Sequence, residues 1–271
     1  MPLYLLESKS DNTNKSYLSA FNRWGRFCTV HRLSSLVAEP IHVSPNVINV
    51  AIYSIKWAHT INGFTDPTTN SFVKTLQESG KRVNGRPINK KDPVTPEMLI
   101  NLCRMFQNSK DLFIVTDLTM ILLSFAGFLR YDELSHLKCN DIVLFEYYMK
   151  ISLSQSKTDQ YRQGNEILVA KGTTIAPIFR SRGKTSLIYK NKALSYSTVR
   201  VNMVRRLKIV EPCLNLGLHS LRSGGATTAA SFNVNERCIK RHGRWKSEFS
   251  KDGYIADSLI NRLKVSNNLG L

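Results

Sequence analysis

The sequence predicts a mainly α chain of α+β class, with a helical unit over residues 1–86 and a larger helical domain over 95–271 that carries a small antiparallel sheet. Three observations predict it. Apolar residues recur at helical spacing through the first third. A segment rich in Gly, Pro and charge, Asn84 to Val94, separates that third from the rest. Beyond it, two short stretches rich in β-branched and aromatic residues interrupt a series of helical patterns.

Taken in order, Asn12 to Val30 places Tyr17, Phe21, Trp24 and Phe27 on one helix face. Pro45 to Ile61 carries a stripe of Val47, Val50, Ala51, Ile55 and Ala58, and a third helix is expected from about Pro67 to Arg82. After the linker-like segment, Thr95-Pro96-Glu97 opens a new helix. Thr95 suits the cap, Pro96 the first turn, and Glu97 the positive end of the helix dipole. Helices follow near 96–107 and 112–127. The longest apolar run, Leu118 to Leu129, has twelve residues. That is too few to span a bilayer, so it reads as a buried helix.

Ile142 to Ser154 then turns β-like, and Glu166 to Ala170 is its expected hairpin partner. The polar turn between them carries Lys157. Helices resume at about Ser195–Leu207, His219–Ser231, Asn235–Arg241 and Ser247–Ile255. There is no internal repeat and no heptad run.

The 271 residues are 42% hydrophobic and 21% charged, which suits a folded chain. Lys and Arg total 38 against 20 Asp and Glu, a formal charge of +18. Residues 1–90 carry +6 and the remainder +12, so the excess is no terminal tail. A polyanion is the expected partner, nucleic acid before an acidic membrane surface. The five cysteines are widely spaced and form no CxxC pair. They read as reduced thiols of cytosol or nucleus rather than a zinc site. Met1 to Ser10 has no apolar signal core. No Walker A sequence or GxGxxG is present, so no cofactor is expected.

The polar residues that sit badly in a bland core carry the chemistry. Arg130 directly follows the apolar helix, with Glu133 one turn on to hold it. His219 and Arg222 share a helix face at i and i+3. Trp245 lies 23 residues after Arg222, and Tyr254 nine residues after Trp245. Two guanidinium groups can clamp the non-bridging oxygens of a phosphodiester and neutralise charge that develops on phosphorus. A tyrosine hydroxyl can attack phosphorus, a lysine can protonate a leaving oxygen, and a histidine can exchange protons with the nucleophile. None of these steps calls for a metal.

The order Arg…Lys…His-x-x-Arg…Trp…Tyr resembles the tyrosine recombinase (phage-integrase-type) superfamily. Ala126-Gly-Phe-Leu-Arg-Tyr-Asp-Glu-Leu134 is similar to its first arginine box, and Leu218-His-Ser-Leu-Arg-Ser-Gly-Gly-Ala226 to its second. Gly243-Arg-Trp-Lys-Ser247 resembles the segment that precedes the nucleophile. Within the superfamily, recombinases of animal mobile elements of the DIRS or Crypton kind are the most similar.

The resemblance implies that Arg130 and Arg222 bind the scissile phosphate. Lys157 is then the general acid for the 5′-hydroxyl, and His219 an acid/base. Trp245 takes the family's His/Trp position, and Tyr254 forms the 3′-phosphotyrosyl link. It further implies a core-binding-like N-terminal domain, double-stranded DNA as partner, a homo-tetramer on DNA, and a nuclear protein without membrane attachment.

Read from the residues alone, alternatives stay open. His242 competes with Trp245, and Lys150 and Lys171 flank the Lys157 hairpin. Arg130 could simply cap the apolar helix. The family pattern has further helices near 43–45 and 172–180, where this sequence is short. The functional alternative is a domesticated or decayed DNA-binding protein without turnover. A type IB topoisomerase and a basic RNA-binding module stand behind it.

Overall fold

The computed structural model describes residues 11–30, 45–85, 87, 89–154, 164–170 and 195–269. Lys157, Lys171 and the segment 172–180 lie outside the described residues. The chain divides into two compact units, Met1–Asn89 and Lys90–Leu271.

The first unit contains α1 (Asp11–Val30), α2 (Pro45–Ile61), a short 3₁₀ turn (Pro67–Thr69) and α3 (Ser71–Asn84). The single expected helix from Pro67 is therefore broken in two. Asp66 accepts the backbone N–H of Thr68 at 2.9 Å, and Asn70 accepts that of Phe72 at 2.8 Å, so each piece has its own cap. The small core is Trp57, Ala58 and Ile61 of α2, packed against Tyr17 and Phe21 of α1. The Tyr17 and Trp57 rings lie 6.1 Å apart.

The buried face of α2 is thus Ser54, Trp57, Ala58 and Ile61. Val47 and Val50, expected in its stripe, are exposed. Once a bulky Trp sits at the contact, it sets which face turns inward. The α2–α3 pairing is polar as well, with Gln77 Nε2 donating to Asn49 Oδ1 at 2.6 Å.

The second unit begins with a strap. The backbone N–H of Asp92 donates to the Asn215 carbonyl at 3.0 Å, and Val94 N–H to the Ser220 carbonyl at 3.0 Å. Asp92 Oδ2 accepts from Asn215 N–H at 2.6 Å, and Val94 is buried. Residues 90–94, linker-like by composition, are therefore part of the packed second unit.

The helices α4 (Pro96–Phe106), α5 (Leu112–Ala126), α6 (Tyr131–Ser135), α7 (Tyr196–Val210), α8 (Leu218–Ser231), α9 (Glu236–Gly243), α10 (Glu248–Asp252) and α11 (Leu259–Asn267) follow. The fold is mainly helical with one small antiparallel sheet, as the sequence predicts. Thr95 Oγ1 accepts Met98 N–H at the start of α4, with Pro96 in the first turn. The core combines Met98, Leu99 and Leu102 of α4 with Leu118, Ile121 and Leu122 of α5 and Val199, Met203 and Leu207 of α7. Asp117 of α5 is buried, and Arg206 of α7 pairs with it at 3.2 Å.

The sheet has three strands rather than the expected two: β1 (Ile142–Leu144), β2 (Tyr148–Leu153) and β3 (Asn165–Ala170), in that spatial order and antiparallel. The β-like stretch 142–154 folds back on itself, and Phe145 N–H donates to the Tyr148 carbonyl at 2.9 Å. Met149, Ile151 and Leu153 alternate inward on β2, and Ile151 pairs with Ile167 of β3. Among the described residues, no helix is long and apolar enough to cross a membrane.

Close approach of α8 to α5 positions the site. A β-carbon on Gly225 would lie 2.4 Å from the Phe125 carbonyl oxygen and 2.5 Å from the Phe128 ring. One on Gly224 would lie 2.0 Å from the Val94 carbonyl oxygen. Only glycine admits this contact, which carries Arg222 up to the end of α5.

Candidate active site

The C-terminal end of α5 is the organising feature. An α-helix leaves its last carbonyls unpartnered and its end negative. Here the backbone N–H groups of Gly127, Phe128 and Leu129 take the carbonyls of Leu123, Phe125 and Ser124, and three side chains from elsewhere take those of Ala126 and the turn after it. His242 Nε2–H donates to the Ala126 carbonyl at 2.8 Å. Arg244 donates to the Gly127 carbonyl at 3.2 Å and to the Phe128 carbonyl at 3.0 Å. Arg222 donates to the Phe128 carbonyl with Nη1 and to the Gly243 carbonyl with Nη2. Phe128 presents its carbonyl through a left-handed backbone, φ +47°.

Arg130 is not a cap of α5. It starts α6, where Glu133 Oε2 accepts its backbone N–H at 2.8 Å and Glu133 Oε1 accepts Nη1 at 2.9 Å. Glu133 is fully buried and also takes Arg244 Nη2 at 2.8 Å. Burial alone would raise its pKa. The Arg244 guanidinium and the Arg130 backbone and side chain outweigh that and hold it below the usual range.

Arg222 is the centre of the constellation. It is fully buried, and its guanidinium carbon lies 4.6 Å from the Trp245 ring centroid and 5.2 Å from that of Tyr254. Burial pushes its pKa down to about 9, with the Arg130 and Arg244 charges in support and Glu133 and Tyr254 opposed. It stays cationic at neutral pH.

Trp245 and Tyr254 have ring centroids 5.4 Å apart, and His219, which is exposed, lies 6.0 Å from Tyr254. Ser223 Oγ donates to the Tyr254 carbonyl, and Thr227 Oγ1 accepts Ala256 N–H at 2.9 Å, so two side chains of α8 brace the Tyr254 segment. Phe128, Ala226, Ile239 and Trp245 form a small apolar cluster behind it.

Arg130, His219, Arg222, Trp245 and Tyr254 are therefore brought to one place. His242 adjoins this cluster but spends Nε2 on the Ala126 carbonyl, its ring 4.6 Å from that of Phe128, and burial pushes its pKa down. Lys150, one of the flanking lysines, is paired with Glu166 across the sheet at 2.9 Å.

Arg244 is the residue that sequence reasoning passed over. It is 8% exposed and adopts a left-handed backbone, φ +56°. The signal available was a charged residue inside the Gly-x-Trp word. Gly243 precedes it because a β-carbon there would meet the Trp245 ring at 1.9 Å.

Among the described residues, three buried donors of this cluster have no acceptor: Nε of Arg222, Nε of Arg244 and Nε1 of Trp245. The Arg222 and Trp245 donors lie beside the Tyr254 ring, and an oxyanion is the kind of group that would supply the acceptors they lack.

No protein-family model matches the chain. It is 26% identical to the "Integrase/recombinase xerD homolog" of Selenomonas ruminantium, a likeness that covers 96% of this chain and 87% of that protein. Its fold resembles the Tn1549 transposon integrase in complex with transposon right end DNA, with TM-score 0.60, 14% identity, and 97% of this chain and 95% of that one covered. It also resembles the XerH site-specific recombinase in its post-cleavage complex with difH substrate, with TM-score 0.58, 13% identity, and 95% and 79% covered. The fold is that of the tyrosine recombinases, and the sequence likeness supports the tyrosine recombinase/integrase superfamily.

Proposed function

We propose that the chain cleaves and rejoins double-stranded DNA through a 3′-phosphotyrosyl link on Tyr254. The observation that carries this reading is the buried Arg222 guanidinium against the Tyr254 and Trp245 rings, with Nε of Arg222 and Nε1 of Trp245 lacking acceptors among the described residues. A phosphodiester supplies acceptor oxygens and negative charge at once. Its similarity to the XerD homolog points the same way.

In this reading Arg130 and Arg222 hold the non-bridging oxygens and stabilise the phosphorane as it forms. Tyr254 Oη attacks phosphorus, the P–O5′ bond breaks, and the phenolic proton passes to His219. Lys157, which lies outside the described residues, delivers a proton to the 5′-oxygen. Trp245 Nε1–H donates to a phosphate oxygen. Ligation is the reverse: a 5′-hydroxyl attacks the phosphotyrosine and tyrosine leaves. The phosphate ester bond is conserved throughout, so no nucleotide hydrolysis enters.

The charge of +18, spread over both units, suits a protein that contacts the duplex with each of them. We place the chain with the mobile-element recombinases of the DIRS or Crypton kind, as a nuclear protein that acts as a tetramer on DNA.

Covalent trapping tests the reading. Purified protein is incubated with nicked duplexes that cover the DNA on either side of its coding sequence, and wild type is compared with Tyr254→Phe on denaturing gels. A protease-sensitive slow band from wild type alone is the expected result. Intact, salt-sensitive binding without that band would favour the DNA-binding protein without turnover.

A further inference from the structure

Glu133 is one carboxylate among three guanidinium groups. Its Oε1 takes Arg130 Nη1 at 2.9 Å. Its Oε2 takes the Arg130 backbone N–H and Arg244 Nη2, each at 2.8 Å. The Arg222 Nη1 stays 3.9 Å from Oε2, beyond hydrogen-bond range. Among the described residues, Arg222 has the Phe128 and Gly243 carbonyls as its hydrogen-bond partners.

Arg244 reaches this position at a cost. Its backbone is left-handed, where a β-carbon is disfavoured and glycine fits best. Its guanidinium is buried and makes four hydrogen bonds, to Glu133 and to the carbonyls of Gly127, Phe128 and His242. A glycine would satisfy the backbone, so the strain is kept for the side chain.

We propose that Arg244 is a positioning residue that holds Glu133 away from Arg222 and so leaves the Arg222 charge available to a phosphodiester oxygen. By filling Oε2, it prevents the two-pronged carboxylate–arginine pair that Arg222 would otherwise form. The inference rests on the proposed role of Arg222 in strand cleavage.

The test uses the full chain and the same nicked duplexes. Arg244→Gly suits the backbone and removes the guanidinium. Gel shift should show binding unchanged within about twofold, while the rate of covalent complex formation falls at least tenfold, a loss of the order seen when one transition-state donor is removed. Adding Glu133→Gln to Arg244→Gly should restore most of that loss, because an amide cannot neutralise Arg222. Arg244→Lys, which keeps a cation for Oε2, should stay within a few-fold of wild type and covers the case in which Arg244→Gly fails to fold.

Three results would overturn the proposal: equal rates for Arg244→Gly and wild type, a double variant slower than Arg244→Gly, or Arg244→Lys as slow as Arg244→Gly. If wild type itself binds without forming the covalent complex, the strand-cleavage reading falls and the role of Arg244 falls with it.

Discussion

The guanidinium carbon of Arg222 sits 4.6 Å from the Trp245 ring centroid, both groups being buried. A cation on an aromatic face in a desolvated place gains about 2 kcal/mol or more. The stack lets the protein bury a charge that carbonyls alone would compensate poorly. Trp245→Phe keeps an aromatic face and removes Nε1–H. Its expected effect is a loss of about 1–2 kcal/mol in thermal or denaturant unfolding. The rate of covalent complex formation should fall by more than about tenfold, measured in the trapping assay.

Glu133 predicts an acid limb of stability. Its folded pKa is depressed, so its contribution is complete above the ordinary carboxylate range and is lost as pH falls through the folded value. Unfolding measured downward from neutral pH should show wild type losing stability below that range. Glu133→Gln should start less stable at neutral pH and show a flatter acid limb. Glu133→Ala, which strands Arg130 and Arg244 without their paired counter-charge, should cost about 3–5 kcal/mol.

Gly225 predicts a packing defect. Alanine there places a β-carbon 2.4 Å from the Phe125 carbonyl oxygen, and backbone cannot swing aside as a side chain can. The expected cost is about 3 kcal/mol by denaturant unfolding, with loss of cleavage as α8 moves off α5. Gly253→Ala is the control. Its backbone is ordinary, φ −60°, and its new contact is 3.6 Å, so its unfolding should change by less than about 1 kcal/mol.

Lys251 predicts a latch on the Tyr254 segment. Its ammonium is enclosed by Glu236 at 2.6 Å, Glu248 at 2.9 Å and Asp252 at 3.4 Å, and its carbonyl accepts Tyr254 N–H at 2.9 Å. The hydrogen bonds to Glu236 and Glu248 raise its pKa, so the ammonium keeps its charge throughout the neutral range and loses it at strongly alkaline pH. Lys251→Met keeps the stem and removes the charge. Amide exchange at 252–256 should accelerate about tenfold, with exchange in α5 unchanged.

Much of this was legible because it is local. Thr95-Pro96-Glu97 starts α4 where cap chemistry says it should, and the run Leu118 to Leu129 is the buried α5 with its terminal turn. The two arginine boxes and Tyr254 were readable as ordered words. What escaped was set by long-range contact. Val47 and Val50 fit a helical stripe but stay exposed, because the bulk of Trp57 fixes the contact face of α2. The strand stretch 142–154 contains a turn that alternation cannot reveal. Residues 90–94 look like a linker, yet Asn215 and Ser220, more than a hundred residues away, anchor them. Arg244 was hidden for the same reason: its partners, Gly127, Phe128 and Glu133, are remote in sequence.

The tight seam at Gly224 and Gly225 has a consequence at the level of the gene. Every base change that replaces a glycine adds at least a β-carbon, and neither position has room for one. These two codons therefore tolerate no replacement, although neither residue touches a reacting atom. In a set of related chains, loss of the α5–α8 seam would be readable at these two codons as the replacement of either glycine.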